Sequence, residues 1–312
     1  MQTHDFQNKI QNILYGEKGH GLSVFCCVKK GGIISLKRFN VQDDFRGEIN
    51  DLIANSISMQ FLNDDVAYDY VDNISDNDNV LYLIEITKQY NPFGFLTANS
   101  TVNEDFTEND RDGLLGFAFR FSIDSNIMWA YQHVYPVSVS KQSKGLYAVI
   151  GGKSIFNKID SKKVFFIGNR IDVVIIENTI CPIKIKFLEQ NFHFEVFIRS
   201  EAQKTVEIIE ATKLIKNVDK FNAFMTKEKL TNAKKLLKIK KSPILSIPIE
   251  IITKRLSEIP RYSNIKIQDG QIVVKTEKDI VNILKMLSDD FLRSELSLKE
   301  YDSPSKKILP DV

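Results

Sequence analysis

The chain has 312 residues, 43% of them hydrophobic, which is enough for one large core or two ordinary ones. No apolar run approaches the roughly 18 residues that cross a bilayer as a helix, and the start, Met1 to Asp5, has neither the basic region nor the apolar core of a signal peptide, so a cytoplasmic location is expected. The net charge of +2 conceals a segregation: residues 1–150 carry 12 Lys and Arg against 19 Asp and Glu, and the remainder carries 30 against 21. A basic half suits a polyanion partner, because phosphate affinity scales with the counterions that cations release.

In chain order, residues 2–14 predict a short helix with Phe6, Ile10 and Ile13 on one side. Leu22 to Lys29 and Ile33 to Phe39 are β-rich runs joined by Lys30-Gly31-Gly32, whose glycines supply the positive φ of a tight hairpin. Asp43 or Asp44 is placed to cap a helix carrying Phe45, Ile49, Leu52, Ile53, Ile57 and Phe61. The acidic stretch from Asn63 to Asn79 reads as loop, and Val80 to Thr87 as a strand. From Asn91 to Gly113 apolar periodicity is lost among Pro, Gly, Asn and acidic residues, which predicts a surface linker and a domain boundary after residue 112.

Strand-like runs follow at Leu115 to Ser122, Ile127 to Tyr135, Leu146 to Ile150, Val164 to Ile167, Ile171 to Ile176 and Ile180 to Phe187, the spacing of an antiparallel sheet. Beyond Phe192 the period becomes helical, with Ala202, Val206, Ile209, Lys213 and Lys216 on one helix and Val218 to Met225 on the next. Asp269-Gly270 marks a hairpin, and Thr276-x-x-Asp279 a capping box before a last helix. The fold expected is α+β. It has an N-terminal ββαβ module over residues 1–112 that ends in an acidic loop, then over 113–312 a central antiparallel sheet and basic C-terminal helices with a small β-hairpin.

The residues from Thr226 to Lys241 are unusual, for seven of the sixteen are lysine and one is acidic. On a single helix, Lys227, Lys234, Lys238 and Lys241 fall within about 60° of one another, and Leu230, Ala233, Leu236 and Leu237 take the far side. That row would span about 21 Å and follow several phosphates. The plain alternative is a solvated face. The candidate nucleic-acid contacts are Lys227, Lys234, Lys235, Lys238, Lys241, Lys213, Lys216 and Arg120, with Lys204, Lys254 and Arg255 in support. Lys229 and Lys240 fall near the apolar side, where they must snorkel or sit at an oligomer edge.

Catalytic signatures are weak. Gly152-Lys153-Ser154 lacks the first glycine of a phosphate loop, since Tyr147 stands there. The four histidines are scattered, with no HExxH, no CxxC and no nucleophile motif. The nearest divalent-metal nuclease set is Asp160-Ser161-Lys162 with Asp124. The odd set of three cysteines reads as buried hydrophobes in a reducing compartment. No cofactor is expected. In the stretch from Gly116 to Pro136, Phe117, Phe119 and Phe121 share one face of a hairpin and Arg120 the other; aromatics beside an arginine can stack on bases, though more often they form sheet core.

Phe119-Arg120, Trp129-x-Tyr131-Gln132, Tyr135, Ile171-Asp172, Phe194-Glu195-x-Phe197 and the closing run Leu287 to Ser297, which includes Asp290 and Ser294 and is followed by Tyr301 and Lys306, resemble the KwaB family of the bacterial Kiwa anti-phage system. The resemblance runs in ordered fragments from about residue 80 to 308, with Ser297 where threonine is expected. It implies a DNA-binding protein that self-associates, most simply as a dimer, and works at the inner membrane with a small integral-membrane partner, KwaA. The implied role is restraint of phage DNA replication and transcription, and the resemblance brings no catalytic residues. The alternatives are a metal-dependent nuclease and an assembly module whose basic helix meets a protein or a membrane.

Overall fold

The computed structural model describes residues 3–17, 19–70, 80–97, 102–134, 145–149, 164–227, 230–240, 242–258, 265–288, 291–293 and 300–302. The chain forms two compact units, one of residues 1–69 and 77–192, the other of residues 193–312 with 70–76. The mixed α+β class expected from the sequence is what the chain adopts.

In the first unit, α1 (Thr3–Tyr15) precedes β1 (Gly21–Lys30) and β2 (Ile33–Arg38), which turn at Gly31 and Gly32 with φ of 57° and 86°. Next come α2 (Asp43–Phe61), β3 (Ala67–Tyr70), β4 (Val80–Glu85), the single turn α3 (Gly94–Thr97) and a 3₁₀ segment, Glu108–Gly113. Then follow β5 (Leu114–Ile123), β6 (Asn126–His133), β7 (Gly145–Val149), β8 (Val164–Gly168), β9 (Val173–Ile176), β10 (Thr179–Pro182) and α4 (Ile185–Asn191).

Eight of these strands make one sheet in the order β2-β1-β5-β6-β9-β10-β4-β3, while among the described residues β7 and β8 pair with each other in a separate sheet. The pairings from β2 through to β4 are all antiparallel. Strand β1 lies along β5 from Gly21 opposite Ser122 to Val28 opposite Leu114. The boundary expected after residue 112 therefore falls inside one sheet, and the chain divides near Phe192 instead.

One face of the sheet, with Val24, Cys26, Phe117, Phe119, Phe121, Met128 and Val174, packs with Phe6, Ile10 and Ile13 of α1 and Ile49, Ile53, Ile57 and Phe61 of α2 in one buried cluster. On the opposite face, the Tyr131 ring meets those of Phe93, Phe187 and Phe192 at centroid distances of 5.4, 6.2 and 5.7 Å. Both faces are apolar, so neither is a base-stacking platform: Phe117, Phe119 and Phe121 are core. All three cysteines are free and buried, and burial pushes each thiol up, as expected of inert side chains.

Several local expectations are corrected. Neither Asp43 nor Asp44 caps α2, whose N-cap is Gln42 without a side-chain cap bond. Strand β3 lies in the stretch read as loop. The supposed linker buries Phe93, Leu96 and Asp110, and the segment read as a strand to Phe187 turns into α4 at Ile185. Phe93 and Leu96 went unread because a single helical turn is too short to show a period.

Asp110 pins the 3₁₀ segment to the β1–β2 hairpin. Its side chain is 2% exposed and accepts from Lys30 Nζ at 2.7 Å, with Lys37 Nζ at 3.1 Å and the Thr107 amide at 3.0 Å. Burial alone would raise its pKa, but these donors outweigh it and hold the carboxyl well below its usual value. A depressed carboxylate stabilises the fold above its unfolded pKa, near 3.9, and loses that contribution as pH falls through the folded value. Asp110→Asn is expected to cost about 1–3 kcal/mol in a denaturant titration at pH 7. The gap to wild type should narrow below about pH 4, and a pH-independent gap would contradict the ionic origin.

Candidate nucleic-acid interface

The second unit begins with α5 (Phe194–Ala211), α6 (Val218–Lys227) and α7 (Leu230–Ile239). A 3₁₀ turn over Pro243–Ser246 leads to α8 (Ile249–Glu258). The hairpin β11 (Lys266–Gln268) and β12 (Gln271–Val273), helix α9 (Glu277–Leu287) and the pair β13 (Phe291–Arg293) and β14 (Glu300–Asp302) follow. Helix α5 packs on α6 and α7, α7 on α9, and α8 on β12. The Asp269-Gly270 turn has φ of 53° and 75°, the left-handed pair that a two-residue hairpin requires. Thr276 and Asp279 form the expected capping box.

Residues 193–312 hold 23 lysines and arginines against 17 carboxylates. The excess is concentrated: between Glu210 and Glu250 stand ten lysines and two acidic residues, Asp219 and Glu228. The lysines do not all have the same environment. Helix α7 buries Ala233, Leu236, Leu237 and Ile239, each at most 1% exposed. Lys234, Lys238 and Lys235 span about 100° within the arc of about 200° left between Leu237 and Ile239, where they are half-buried. Half-burial is what a lysine shows when its aliphatic stem packs while its ammonium keeps polar surroundings.

The row expected from a continuous helix is divided. Lys227 ends α6, residues 228 and 229 lie outside the described residues, and so does Lys241. Lys240, one residue past α7 and near its apolar side, neither snorkels to water nor needs an oligomer edge. Its Nζ lies 3.2 Å from Glu201 Oε2 while Lys204 Nζ lies 2.5 Å from Oε1. The Glu201 side chain is 10% exposed, and although burial raises its pKa, the two lysines bring it below its usual value. This carboxylate joins α5 to the end of α7.

Lys213 and Lys216 leave the helix on which periodicity placed them. Helix α5 stops at Ala211, and Lys213 takes a left-handed φ of 56° just beyond its C-cap Thr212. Ile215 then bridges to Ile272 beside β12, and Lys216 pairs with Asp269 at 2.6 Å. Lys254 and Arg255 are exposed on α8. From the sequence no helix is expected here. Pro248 stands just before it, where proline is at home, and Ile252 and Leu256 are the apolar stripe that marks it.

Arg120 belongs to the first unit and is not placed as a phosphate contact. Its guanidinium carbon lies 6.0 Å from the Trp129 ring centroid, and its Nε is buried with no acceptor among the described residues. The other motif residues in that sheet brace the backbone. Gln132 donates to the carbonyls of Gly168 and Arg170 at 3.0 and 2.6 Å and accepts from the Gly168 amide. Asp172 Oδ2 accepts from the His133 amide at 2.8 Å, and burial raises its carboxyl pKa. Tyr131 is fully buried, with its hydroxyl 3.1 Å from His133 Nδ1. Tyr301 lies on β14 opposite Leu292, while Asp290 and Ser294 lie outside the described residues. The same holds for Gly152-Lys153-Ser154 and Asp160-Ser161-Lys162; Asp124 sits at the β5–β6 turn. Among the described residues no group of three His, Cys, Asp or Glu side chains is placed to hold a metal ion, and no helix is long and apolar enough to cross a membrane.

The pairing with Glu201 thus sets Lys240 apart from the lysines of α7 as a bracing residue. Lys240→Gln is expected to cost about 1–3 kcal/mol of stability by leaving Glu201 short of a charged donor. It should leave polyanion affinity, read as a salt-dependent gel shift, close to that of wild type. A stable variant with lost affinity would reverse the assignment.

Neither a search of curated proteins nor one of solved structures returned a match. The family model described as Kiwa protein KwaB-like matches residues 111–297, a shorter span than the fragments from about 80 to 308 suggest. It covers strands β5 to β13 and helices α4 to α9, which is more than half of the chain. The chain belongs to the KwaB-like family, and so to the Kiwa anti-phage defence system.

Proposed function

We propose that the protein is the DNA-binding component of its defence system. It would act as a homo-oligomer, most simply a dimer, together with the small integral-membrane protein KwaA, and be held at the inner membrane through that partner. In this reading it restrains phage DNA replication and transcription by occupying DNA and not by cutting it. The observation that carries the reading is the concentration of ten lysines against two acidic residues between Glu210 and Glu250, with α7 anchored by its apolar side so that Lys234, Lys235 and Lys238 form a basic arc. Such an arc contacts phosphates with little regard to sequence, since backbone contacts position a protein on DNA without reading bases.

Replacing Lys234, Lys235 and Lys238 together by glutamine keeps the stems that cover the helix and removes three charges. The triple variant should lose its gel shift with DNA while its melting temperature stays within a few degrees of wild type. Unchanged affinity would sink this site. For wild type on duplex DNA, the logarithm of affinity should fall linearly with the logarithm of salt concentration, by about 0.9 per phosphate contacted. Plasmid incubated with the protein and Mg²⁺ or Mn²⁺ should remain intact, whereas nicking would favour a nuclease. A KwaA pulldown that survives nuclease treatment but fails in the triple variant would turn the basic arc into a protein-docking surface.

A further inference from the structure

Helix α8 and the β11–β12 hairpin enclose an open groove of about 700 Å³, inside the range of roughly 300–1,000 Å³ typical of ligand sites. Lys254 of α8 and Lys213, at the left-handed end of α5, line it together, and Ile249 and Ile267 add apolar surface between charged residues. Gln271 is fixed in place because its amide donates to the Lys213 carbonyl at 2.7 Å. Gly270 opens the hairpin end, for nothing lies within 4 Å of where its Cβ would stand. Two carboxylates also line the groove, but Asp269 is already paired with Lys216. Among the described residues, Glu250 is the lining carboxylate that opposes the lysines without an ion pair of its own.

Resting on the DNA-binding reading above, we propose that this groove receives a single nucleic-acid strand, with phosphates on Lys213 and Lys254 and a base or sugar against Ile249 and Ile267. Charge complementarity favours a polyanion. The apolar pair favours an unpaired strand over a duplex, whose bases stay stacked inside the helix and away from a surface groove. Thr253 and Ser257 also face this region, but their hydroxyls donate to the Glu250 and Lys254 carbonyls of their own helix, so the lysines carry the attraction. Asp269 acts as a brake, holding Lys216 away from the strand.

The test is fluorescence titration of single-stranded oligonucleotide across a salt series. Lys213→Gln with Lys254→Gln should lower the slope of log affinity against log salt by about 1.4, at about 0.7 per single-strand phosphate lost. Lys254→Arg in the Lys213→Gln background should restore about half of it, one contact's worth. Asp269→Asn keeps the turn, since asparagine also accepts the left-handed conformation, and should raise affinity by freeing Lys216. An unchanged slope in the double variant, with the α7 triple variant still losing DNA, overturns the groove and leaves the DNA reading standing. Wild-type protein that binds no DNA overturns both. Loss of polyglutamate binding in the double variant, with oligonucleotide binding intact, assigns the groove to an acidic peptide and likewise overturns the inference.

Discussion

Helix α7 can face only one way, and the proposed function depends on that. Ala233, Leu236, Leu237 and Ile239 are buried, and full burial of each large aliphatic side chain is worth about 1.5–3 kcal/mol. Rotating the helix to hide its lysines would expose this face and bury cations, which is far more costly. Glu201 completes the constraint, because it holds Lys240 at the end of α7 and Lys204 on α5. Packing therefore decides which side of α7 carries Lys234, Lys235 and Lys238, and Glu201 sets Lys204 and Lys240 apart from them.

The same economy of polar groups governs the first unit. Its sheet is apolar on both faces, and its buried polar side chains are tied up in the fold: Gln132 holds backbone at Gly168, Asp172 holds the His133 amide, and Asp110 takes the Lys30 and Lys37 ammoniums of the β1–β2 hairpin. A buried carboxylate without donors would be costly, and each of these has them. The residues by which the family is recognised in this unit are thus accounted for by fold, and the lysine-rich chemistry lies in the other.

Long periodic segments were legible in the sequence. Helix α2, the β1–β2 and β5–β6 hairpins, the Asp269-Gly270 turn and the capping box of α9 appear where spacing and turn chemistry put them. What could not be read was long-range pairing. Nothing local in Gly21–Lys30 says that it lies along Leu114–Ile123, so an irregular stretch looked like a domain boundary. The candidate site was half legible. Composition located the basic region, but Lys213 and Lys216 were displaced by a helix that ends early, and Lys240 was claimed by a carboxylate 39 residues away. Helix α8 was not read because its apolar stripe is short, Ile252 and Leu256, although Pro248 stands where a helix can start.

The most direct test of the account is lysine footprinting by acetylation, with and without bound DNA, read residue by residue by mass spectrometry. The account predicts protection of Lys234, Lys235 and Lys238 on α7 and of Lys213 and Lys254 in the groove, with Lys204 and Lys240 unchanged because Glu201 holds them in both states. Protection confined to lysines of the first unit, or none at all on α7, would contradict it.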